Sequence, residues 1–506
     1  MKLLKNIQYK LLIVLLTVGM ISCDLSDFGD TNDDPNNTTS PKTSALLTNA
    51  LKALPWTTAG DNGRNFRAGQ HYVQYVGNTQ YTGDDNYDAD KFDYNSIYTG
   101  PLADLKFIID YNVDADTKDV AASSGSNGNQ IAVAKILMSY YYLHLTDRFG
   151  DIPYSDALKS GEATQVLSPG FSTQQEVYNG IFSTLTEAVS SMDGGKIPEG
   201  DILFGGDMGM WKKFANTIRM VAGLRLSEVD EAKGKAEFTS ALSAGVISSN
   251  DERIVYQYLA EQNNENPWFS AFRTREDWSM TSTIVDYMNH SSSVNPFTSK
   301  AGMMDVIMDP RLPKYANPTE ASNFKDYVGQ PYGLTEADAG AISNSEVSLL
   351  GDYMRTQDLA YPIYSYAQVL FCQAEAAERG WTGGDAQQLY YDAIFASLEE
   401  YGVDGDYDQF ILNSEVAWDA TKAQERIATQ KWVAMFLVGY DAWSNWRRTG
   451  FPVLQPSPNG ILSQTIPTRQ AYPDSERDLN TVNWQKAVDN QFGGVDDLNG
   501  KVWWDK

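Results

Sequence analysis

Cys23 is the residue of this chain whose position most clearly indicates a chemical role. Three lysines and an apolar run from Leu11 to Met20 precede it, and that run is too short to span a bilayer. Ser22 then leads to Cys23 as at cleavage sites where the new N-terminal cysteine carries acyl chains. Each buried CH₂ contributes roughly 0.8 kcal/mol, so several chains hold a soluble domain at a membrane surface. We therefore predict a signal peptide over residues 1–22 and lipid attachment at Cys23, with an ordinary secretory signal as the alternative.

No residue pattern in the chain indicates catalysis or a firm metal site. Nucleophile elbows, phosphate-binding loops and Cys/His arrangements do not occur, and the carboxylates are too many for a glycosidase pair to stand out. His71, His144 and His290 lack the spacing of metal ligands. The run from Asp84 to Asp90 alternates oxygen ligands as calcium loops do, but it lacks their turn glycine and distal glutamate. These features favour a binding protein without a cofactor, in which this run is a solvated acidic loop and calcium is the weaker alternative.

The composition is acidic and rich in aromatic residues. The formal net charge is −27, from 39 Lys and Arg residues against 66 Asp and Glu residues. Such a surface repels phosphate backbones, so we expect no nucleic-acid binding. The 12 Trp and 29 Tyr exceed the needs of a core of this size, and we expect some of them at surfaces where flat rings suit recognition. Cys372, the only other cysteine, lies in an apolar helical stretch and is expected to be a buried thiol.

A scaffold must position these residues, and apolar spacing of three and four predicts a mostly α-helical one. The predicted helices cover residues 44–54, 131–145, 177–192, 211–226, 367–377, 391–398 and 428–443. Helices paired through short loops indicate stacked helical hairpins, although no repeat of fixed period occurs.

The composition divides the chain into a tether, a helical scaffold and a loop-rich insertion. Residues 24–41 are acidic and rich in Asn, Pro and Thr, so we expect a flexible lipidated tether over residues 23–43. The domain follows over residues 44–506, with the hairpin scaffold at about 44–249 and 359–450. Residues from about 250 to 358 carry many Asn, Ser, Gly and Pro residues and isolated aromatics, which predicts long loops. Loops of that length in a compact protein are usually functional.

Four blocks of the sequence resemble one family of proteins. They are LTDRFGDIPYSDAL from Leu145, WKKFANTIR from Trp211, YAQVLFCQAEAAERGW from Tyr366 and RIATQKWVAMFLVGYDAWSNWRRTGFP from Arg426. In this order and spacing they resemble the SusD/RagB family of outer-membrane nutrient-binding lipoproteins, over nearly all of the mature chain. The NDDPN and TSALLTNAL stretches near the start resemble those of its SusD-like subgroup. Gln368 stands where the family more often has Glu.

The resemblance implies a mostly α fold, in which tetratricopeptide-like helical hairpins pack with a loop-rich irregular second half. It also implies a cell-surface lipoprotein, anchored to the outer membrane, that binds glycan and delivers it to a SusC-like TonB-dependent barrel transporter. Such proteins bind their ligands and do not catalyse. The alternatives are peptide capture and a structural lid subunit with little ligand affinity of its own, with a glycosidase as a more distant one.

Aromatic residues on loops build the ligand cradle in that family. A sugar site needs flat apolar faces for the C–H side of the ring and polar groups for its hydroxyls. The loop residues of this chain in the matching regions are Tyr81, Tyr87, Trp268, Phe269 and Trp278, with Asn264, Asn266 and Arg273 as polar neighbours. Trp268 and Trp278 are the leading candidates, and alanine at either position is expected to lower glycan affinity.

The signature residues of the family are expected to be structural. Asp147, Arg148, Asp151 and Tyr154 cluster at a helix end, and Arg447 and Arg448 follow a helix rich in Trp and Tyr. Buried pairing of aspartate with arginine explains both groups. Truncating one member of such a pair leaves an unpaired buried charge and costs several kcal/mol.

Overall fold

Helices form most of the chain that the structure describes. The computed structural model describes residues 42–55, 64–89, 92–159, 166–195, 200–289, 307–321 and 326–505. The predicted signal peptide, the lipid-attachment residue Cys23 and nearly all of the predicted tether lie outside these residues, as does His290. From Thr43 onward the chain forms one compact unit. None of the described helices combines the length and the apolar character needed to cross a membrane.

The long described helices bury the apolar faces that the spacing predicts. In chain order they are α1 (Thr43–Lys52), α2 (Arg64–Tyr72), α3 (Asn95–Ile97), α4 (Ala103–Val113), α5 (Lys118–Ala121), α6 (Asn127–Phe149), α7 (Gln174–Ser191), α8 (Met208–Arg225), α9 (Glu231–Ala244), α10 (Pro267–Phe272), α11 (Ser282–Asn289), α12 (Leu312–Tyr315), α13 (Glu336–Gly340), α14 (Tyr366–Glu378), α15 (Ala386–Glu400), α16 (Tyr407–Phe410), α17 (Ala423–Ala434), α18 (Gly439–Thr449), α19 (Asp474–Leu479) and α20 (Thr481–Phe492). A π-helical turn over Tyr98–Leu102 joins α3 to α4.

Six short strands fasten distant segments to one another. Antiparallel pairs form between β1 (Val76–Asn78) and β5 (Trp278–Met280), between β2 (Ile152–Pro153) and β3 (Phe171–Ser172), and between β4 (Ile254–Gln257) and β6 (Ala360–Tyr364). The first pair sets Trp278 opposite Asn78. Because its partners are about 200 residues apart in sequence, this pair joins the early loop after β1 to the middle of the chain.

Consecutive helices pack as pairs, which confirms the mostly α, tetratricopeptide-like architecture. The pairs are α6 with α7, α8 with α9, and α14 with α15. The central helix α6 is buried on nearly all sides. It ends before Gly150, whose φ of 86° is a backbone conformation that glycine adopts with little steric strain. Thr173 caps α7 by accepting the N–H of Glu176.

The stretch 428–443 forms two helices, and the prediction of one continuous helix is wrong. Leu437 has a φ of 73°, which an α-helix cannot contain. Beyond it, the Gly439 backbone lies so close to α2 that a Cβ at this position would stand 2.7 Å from the backbone nitrogen of Gln70. This approach depends on a helix some 370 residues earlier, so local periodicity could not reveal it.

The expectation that some Trp and Tyr side chains lie at the surface is confirmed for tyrosine, whereas tryptophan lies mainly in the core. None of the described Trp side chains is exposed. Buried acceptors are available to the indole N–H groups, as Trp432 donates to the carbonyl of Val73 at 3.0 Å and Trp443 to that of Pro467 at 2.8 Å. Among the described aromatic side chains the exposed ones are Tyr81, Tyr353 and Phe395. Surface recognition by large aromatic rings in the described residues therefore depends on these three.

A buried charge cluster joins three helices, which confirms that Asp147 pairs with an arginine in the core. Arg225 at the end of α8 contacts Asp147 of α6 and Asp441 of α18, and all three side chains are at most 6% exposed. The indole N–H of Trp504 also donates to Asp147, at 2.8 Å. Arg447 donates instead to the backbone carbonyl of Asp147, at 2.7 Å. The aspartate of the family signature thus positions α6, α8 and α18 against one another.

Arg448 makes the second buried ion pair, with a glutamate. Its guanidinium donates to both carboxylate oxygens of Glu375, at 2.5 and 2.6 Å, and Arg379 donates to the same carboxylate at 2.9 Å. Burial raises the pKa of Glu375, but the two guanidinium groups more than offset it and hold this pKa at about 2. The pair therefore stays ionised at any physiological pH.

Cys372 lies in the core, as predicted, and His144 is buried as well. Cys372 is a free, buried thiol. His144 is 2% exposed, and its ring centroid lies 4.5 Å from that of Tyr140. Burial lowers the pKa of His144 to about 4, so the imidazole is neutral near pH 7. Both residues serve packing.

Asp151→Asn is expected to stabilise the protein near neutral pH. The Asp151 carboxylate accepts the backbone N–H of Gln174 at 2.9 Å, but burial raises its pKa to about 6. The favourable contribution of Asp151 to the free energy of unfolding is fully present below its pKa in the unfolded chain, which is about 4. This contribution is lost as the pH rises through the pKa in the folded protein, about 6. Asparagine keeps the acceptor without the charge. We expect the variant to gain about 2–3 kcal/mol in free energy of unfolding at pH 7.5 and nothing at pH 4, measured by urea titration.

Asp156→Asn is the matched control for this pH dependence. Asp156 lies in the same loop, but its side chain is 46% exposed and is paired only with Lys159. We expect this variant to stay within about 0.5 kcal/mol of the unaltered protein at both pH values. A stability of Asp151→Asn that falls below that of the unaltered protein at pH 7.5 would contradict the argument.

Candidate ligand-binding site

The loop after β1 is held in one shape by a buried carboxylate. Asp85 is 1% exposed, and it accepts the backbone N–H of Asn78 at 2.8 Å. Its second oxygen lies 2.6 Å from Nδ1 of His71 on α2. Burial raises the pKa of Asp85, and His71 offsets part of that rise. The loop is thereby tied to both β1 and α2, which leaves its tip to project outward.

Tyr81 is the most exposed aromatic side chain among the described residues. It stands at the tip of this loop with 60% of its surface exposed. The guanidinium carbon of Arg275 lies 5.0 Å from the centroid of its ring, within the range of a cation–π contact. Arg275 is held in turn by Asp277, at 2.7 Å. These contacts orient the tyrosine ring while leaving ring surface open to solvent.

Three segments distant in sequence form a pocket beside Tyr81. The pocket has a volume of about 490 Å³. It is lined by Tyr81, Thr82, Gly83, Asn86, Asp88, Thr335, Glu336, Asn459 and Ile461. Asn86 fastens the three segments together, because its amide donates to the carbonyl of Leu334 at 2.8 Å and its backbone carbonyl accepts the N–H of Ile461 at 2.7 Å. We call this the Tyr81 pocket.

The Tyr81 pocket combines flat apolar faces with hydrogen-bonding groups. Tyr81 and Ile461, which is 61% exposed, supply the apolar surfaces. Asp88 and Glu336 supply carboxylate acceptors, and Asn459 supplies an amide. An amphipathic molecule with C–H faces and hydroxyl donors matches this lining. Among the described residues, no group of three His, Cys, Asp or Glu side chains is placed to hold a metal ion.

The run from Asp84 is not the solvated acidic loop that the sequence indicates. Asp85 and Asn86 are both buried, and their side chains are used to fasten the loop. Asp90 lies outside the described residues. The alternation of Asp and Asn here provides internal hydrogen bonds, which composition alone does not distinguish from exposure to water.

Trp268 and Trp278 come together, but they lie in the core and not on a ligand-facing surface. They are 1% and 7% exposed, and their rings form an edge-to-face pair with centroids 5.8 Å apart. Trp278 lies in β5 opposite Asn78, and Asn78 precedes Tyr81 by three residues. The expectation that these rings stack on a ligand is therefore not met in this structure. They instead support the strand pair from which the Tyr81 loop projects.

The other predicted contact residues are also engaged in structure. Tyr87 is 1% exposed, its hydroxyl accepts the backbone N–H of Ser457 at 3.1 Å, and burial raises its pKa to about 12. Asn266 is fully buried and caps α10 by accepting the N–H of Trp268 at 3.1 Å. Neither side chain is available to a ligand, so both expectations need correction.

Arg273, just beyond the end of α10, and Phe269 on α10 contact each other. Arg273 pairs with Glu265 at 2.6 Å, and its guanidinium carbon lies 5.4 Å from the Phe269 ring centroid. Neither residue lines the Tyr81 pocket. Of the predicted contact residues, only Tyr81 does so.

Sequence reasoning missed most of the residues that line the Tyr81 pocket. Glu336, Asn459 and Ile461 lie in segments with no aromatic cluster or recognisable motif. Arg275 lies between the predicted contact residues Arg273 and Trp278, and its contact with Tyr81 depends on the pairing of β1 with β5. Only the pairing of distant segments brings these residues together.

The fold places the chain among mostly α-helical proteins built on tetratricopeptide-like hairpins. The family model described as "Starch-binding associating with outer membrane" matches residues 35–473. The chain therefore belongs to the SusD-like family, as its sequence blocks indicate. No curated protein matches it at a significant level.

Solved structures share this fold over nearly their whole length. A chitin-binding protein is 26% identical, with a TM-score of 0.73, and the match covers 92% of this chain and 99% of the other. A SusD homologue from Bacteroides fragilis is 25% identical, with a TM-score of 0.74 and coverage of 92% and 100%. A SusD homologue from Parabacteroides distasonis, 22% identical, has a TM-score of 0.75 with coverage of 92% and 98%, and this likeness shows the fold alone.

Proposed function

We propose that this protein is a cell-surface lipoprotein that binds oligo- or polysaccharide and delivers it to a SusC-like TonB-dependent barrel transporter. The observation that carries the binding role is the exposed ring of Tyr81 beside hydrogen-bonding groups in an open pocket. The family description names starch, and one structural neighbour is a chitin-binding protein. Both support a neutral glycan as the ligand. No catalytic constellation was found in the sequence, so we propose binding without turnover.

The charges around the pocket favour uncharged glycans over anionic ones. Asp88 and Glu336 line it, and the nearby cation Arg275 is already paired with Asp277. The whole chain carries a formal charge of −27. A uronate or sulfate group would meet like charges at the site and across the surface. Affinity would come from stacking and from hydroxyl hydrogen bonds.

Calorimetry of residues 24–506 tests this proposal. The probes are maltoheptaose, chitohexaose and a polygalacturonate oligomer of similar length. We expect at least one neutral probe to bind and the anionic probe to bind at least tenfold more weakly, because like charges oppose its approach. Preference for the anionic oligomer would contradict the electrostatic argument. Binding of peptides and of none of these glycans would instead favour peptide capture.

Cys23→Ala is expected to release the protein from the membrane. Without the thiol no acyl chain can be attached, and no described helix can span a bilayer in its place. We expect the unaltered protein in the outer-membrane fraction and the variant in the soluble fraction, followed by immunoblotting. Cys372→Ser is the control, because Cys372 is buried and should not affect fractionation. Retention of Cys23→Ala in the membrane would contradict the proposed anchor.

Co-purification tests delivery to a transporter. The full-length lipoprotein would be isolated from gently solubilised outer membranes, and the bound proteins identified by mass spectrometry. A TonB-dependent barrel in near-stoichiometric amount is the expected partner. If such a barrel co-purifies while no glycan binds, the protein is better described as a lid subunit of the transporter.

A further inference from the structure

A second pocket lies on a different part of the domain from the Tyr81 pocket. Its volume is about 350 Å³, and it lies between α1, the π-helical turn before α4, and the segment that leads into α10. Four side-chain amides line it, those of Asn49, Gln262, Asn263 and Asn264. It shares no lining residue with the Tyr81 pocket. We call it the Tyr258 pocket, after the tyrosine in its wall.

The amides of the Tyr258 pocket offer hydrogen-bonding groups that the protein itself uses only in part. Asn49 donates to Asp104 at 2.6 Å, and Asn264 accepts the hydroxyl of Tyr256 at 2.7 Å. Gln262 and Asn263 make no side-chain hydrogen bond to the described part of the chain, and both are exposed. Each amide can both donate and accept, which is the pattern that sugar hydroxyls require.

A buried tyrosine in the wall of this pocket lacks a hydrogen-bond partner. Tyr258 is 4% exposed, and its hydroxyl has no partner within the described residues. Its ring is held by edge-to-face contacts with Tyr256 and Tyr361, at centroid distances of 5.1 and 6.1 Å. Buried hydroxyls in native proteins are nearly always bonded, so this one is able to pair with a group that reaches it from the pocket.

The remaining lining favours a neutral polyhydroxylated ligand. Pro101 and Pro267 supply apolar surfaces against which C–H groups can pack. The carboxylate of Glu265 is already bound by Arg273 at 2.6 Å and by Gln357 at 2.8 Å. The exposed Lys52 is then the one charged group of the lining without an ion-pair partner among the described residues. No strand residue lines the pocket, so a peptide would find no edge for backbone pairing.

We propose that the Tyr258 pocket is a second glycan-binding site, which engages a neutral sugar unit through its amides and the Tyr258 hydroxyl. This inference rests on the proposed glycan-binding role but not on the Tyr81 pocket. Two sites on one domain let a long glycan, or two chains of one polysaccharide, be held at the same time, so their affinities reinforce each other.

Two sets of substitutions separate the two sites. Tyr258→Phe removes only the unpaired hydroxyl and keeps the ring contacts, so the fold is retained. Gln262→Ala combined with Asn263→Ala removes exposed amides that bond to nothing else described. Each set is made alone and together with Tyr81→Ala, and calorimetry with maltoheptaose and with chitohexaose measures affinity and stoichiometry. Thermal melting confirms that each variant is folded.

We expect Tyr81→Ala to leave residual glycan binding, and we expect only the combined substitution of Gln262 and Asn263 to remove it. Tyr81→Ala should leave a weaker site, Tyr258→Phe should weaken that site about tenfold, and loss of both amides should abolish it. If Tyr81→Ala alone abolishes binding, the second site is overturned while the Tyr81 site stands. The same conclusion follows if the residual binding is unchanged by the substitutions in the Tyr258 pocket. If only the Tyr258 pocket variants lose binding, the second site stands and the Tyr81 site is overturned. Absence of binding by the unaltered protein overturns both.

Discussion

Arg225→Met is expected to lower the free energy of unfolding by about 3–5 kcal/mol, the loss typical of breaking a buried ion pair. Arg225 alone neutralises two buried aspartates, Asp147 of α6 and Asp441 of α18. Methionine has similar bulk, so the main change is electrostatic. Both carboxylates would then remain in the core without their counter-charge. Guanidinium titration followed by circular dichroism measures the effect.

The pH dependence of this variant offers a second readout. Burial raises the pKa of Asp441, and Arg225 more than offsets it, so the pKa lies below its ordinary value. In the unaltered protein this carboxylate contributes stability above the unfolded pKa, near about 4, and the contribution is lost as pH falls below that value. Without Arg225 the effect of burial on Asp441 is no longer offset by a cation, and stability should instead improve as the pH falls toward 4.

An exposed pair and a double variant serve as controls. Lys135→Met removes a cation paired with Glu187 at 2.7 Å, but the Glu187 side chain is 63% exposed, so a change below about 1 kcal/mol is expected. Combining Arg225→Met with Asp147→Asn removes one of the stranded charges, and the double variant should lose less than the sum of the single losses. A loss below about 1 kcal/mol for Arg225→Met would contradict the assignment of this cluster as a structural centre.

Tyr81→Ala is expected to weaken glycan binding roughly 30-fold, because central tyrosines at binding sites contribute about 2 kcal/mol. The ring is 60% exposed and touches no buried cluster, so its removal should leave the melting temperature unchanged. Tyr81→Phe keeps the stacking face and should retain most of the affinity. Calorimetry with the neutral probe that binds the unaltered protein measures both variants.

Tyr353→Ala is the matched control for Tyr81→Ala. Tyr353 is also exposed, at 40%, and also lies beside a cation, with Lys314 Nζ 5.1 Å from its ring centroid. It lines neither the Tyr81 pocket nor the Tyr258 pocket. Its removal should leave glycan affinity unchanged. Equal losses from Tyr81→Ala and Tyr353→Ala would show that the effect is not specific to the pocket.

The scaffold could be predicted because its determinants are local. The apolar spacing of α6 is encoded within a few turns of helix, and the helix is found where that spacing predicts it. The break between α17 and α18 could not be predicted in this way. It depends on the close approach of Gly439 to α2, which only the folded chain brings about.

The candidate site was less accessible to sequence reasoning, for a different physical reason. Loops run over surfaces, which favours exposed positions for loop aromatics, yet Trp268 and Trp278 pack against each other in the core. Tyr81 was identified, but Glu336 and Ile461, which complete its pocket, come from segments without any local pattern. Burial and the pairing of distant segments determine which loop residues can contact a ligand, and neither can be predicted from the local sequence.

A crystal structure of residues 24–506 with the neutral glycan that binds most tightly tests the central claim most directly. We expect a sugar ring stacked on Tyr81, with its hydroxyls donating to Asp88 or Glu336. We also expect the buried pair of Trp268 and Trp278 to make no contact with the sugar. A bound glycan that does not contact Tyr81 would contradict the proposed site.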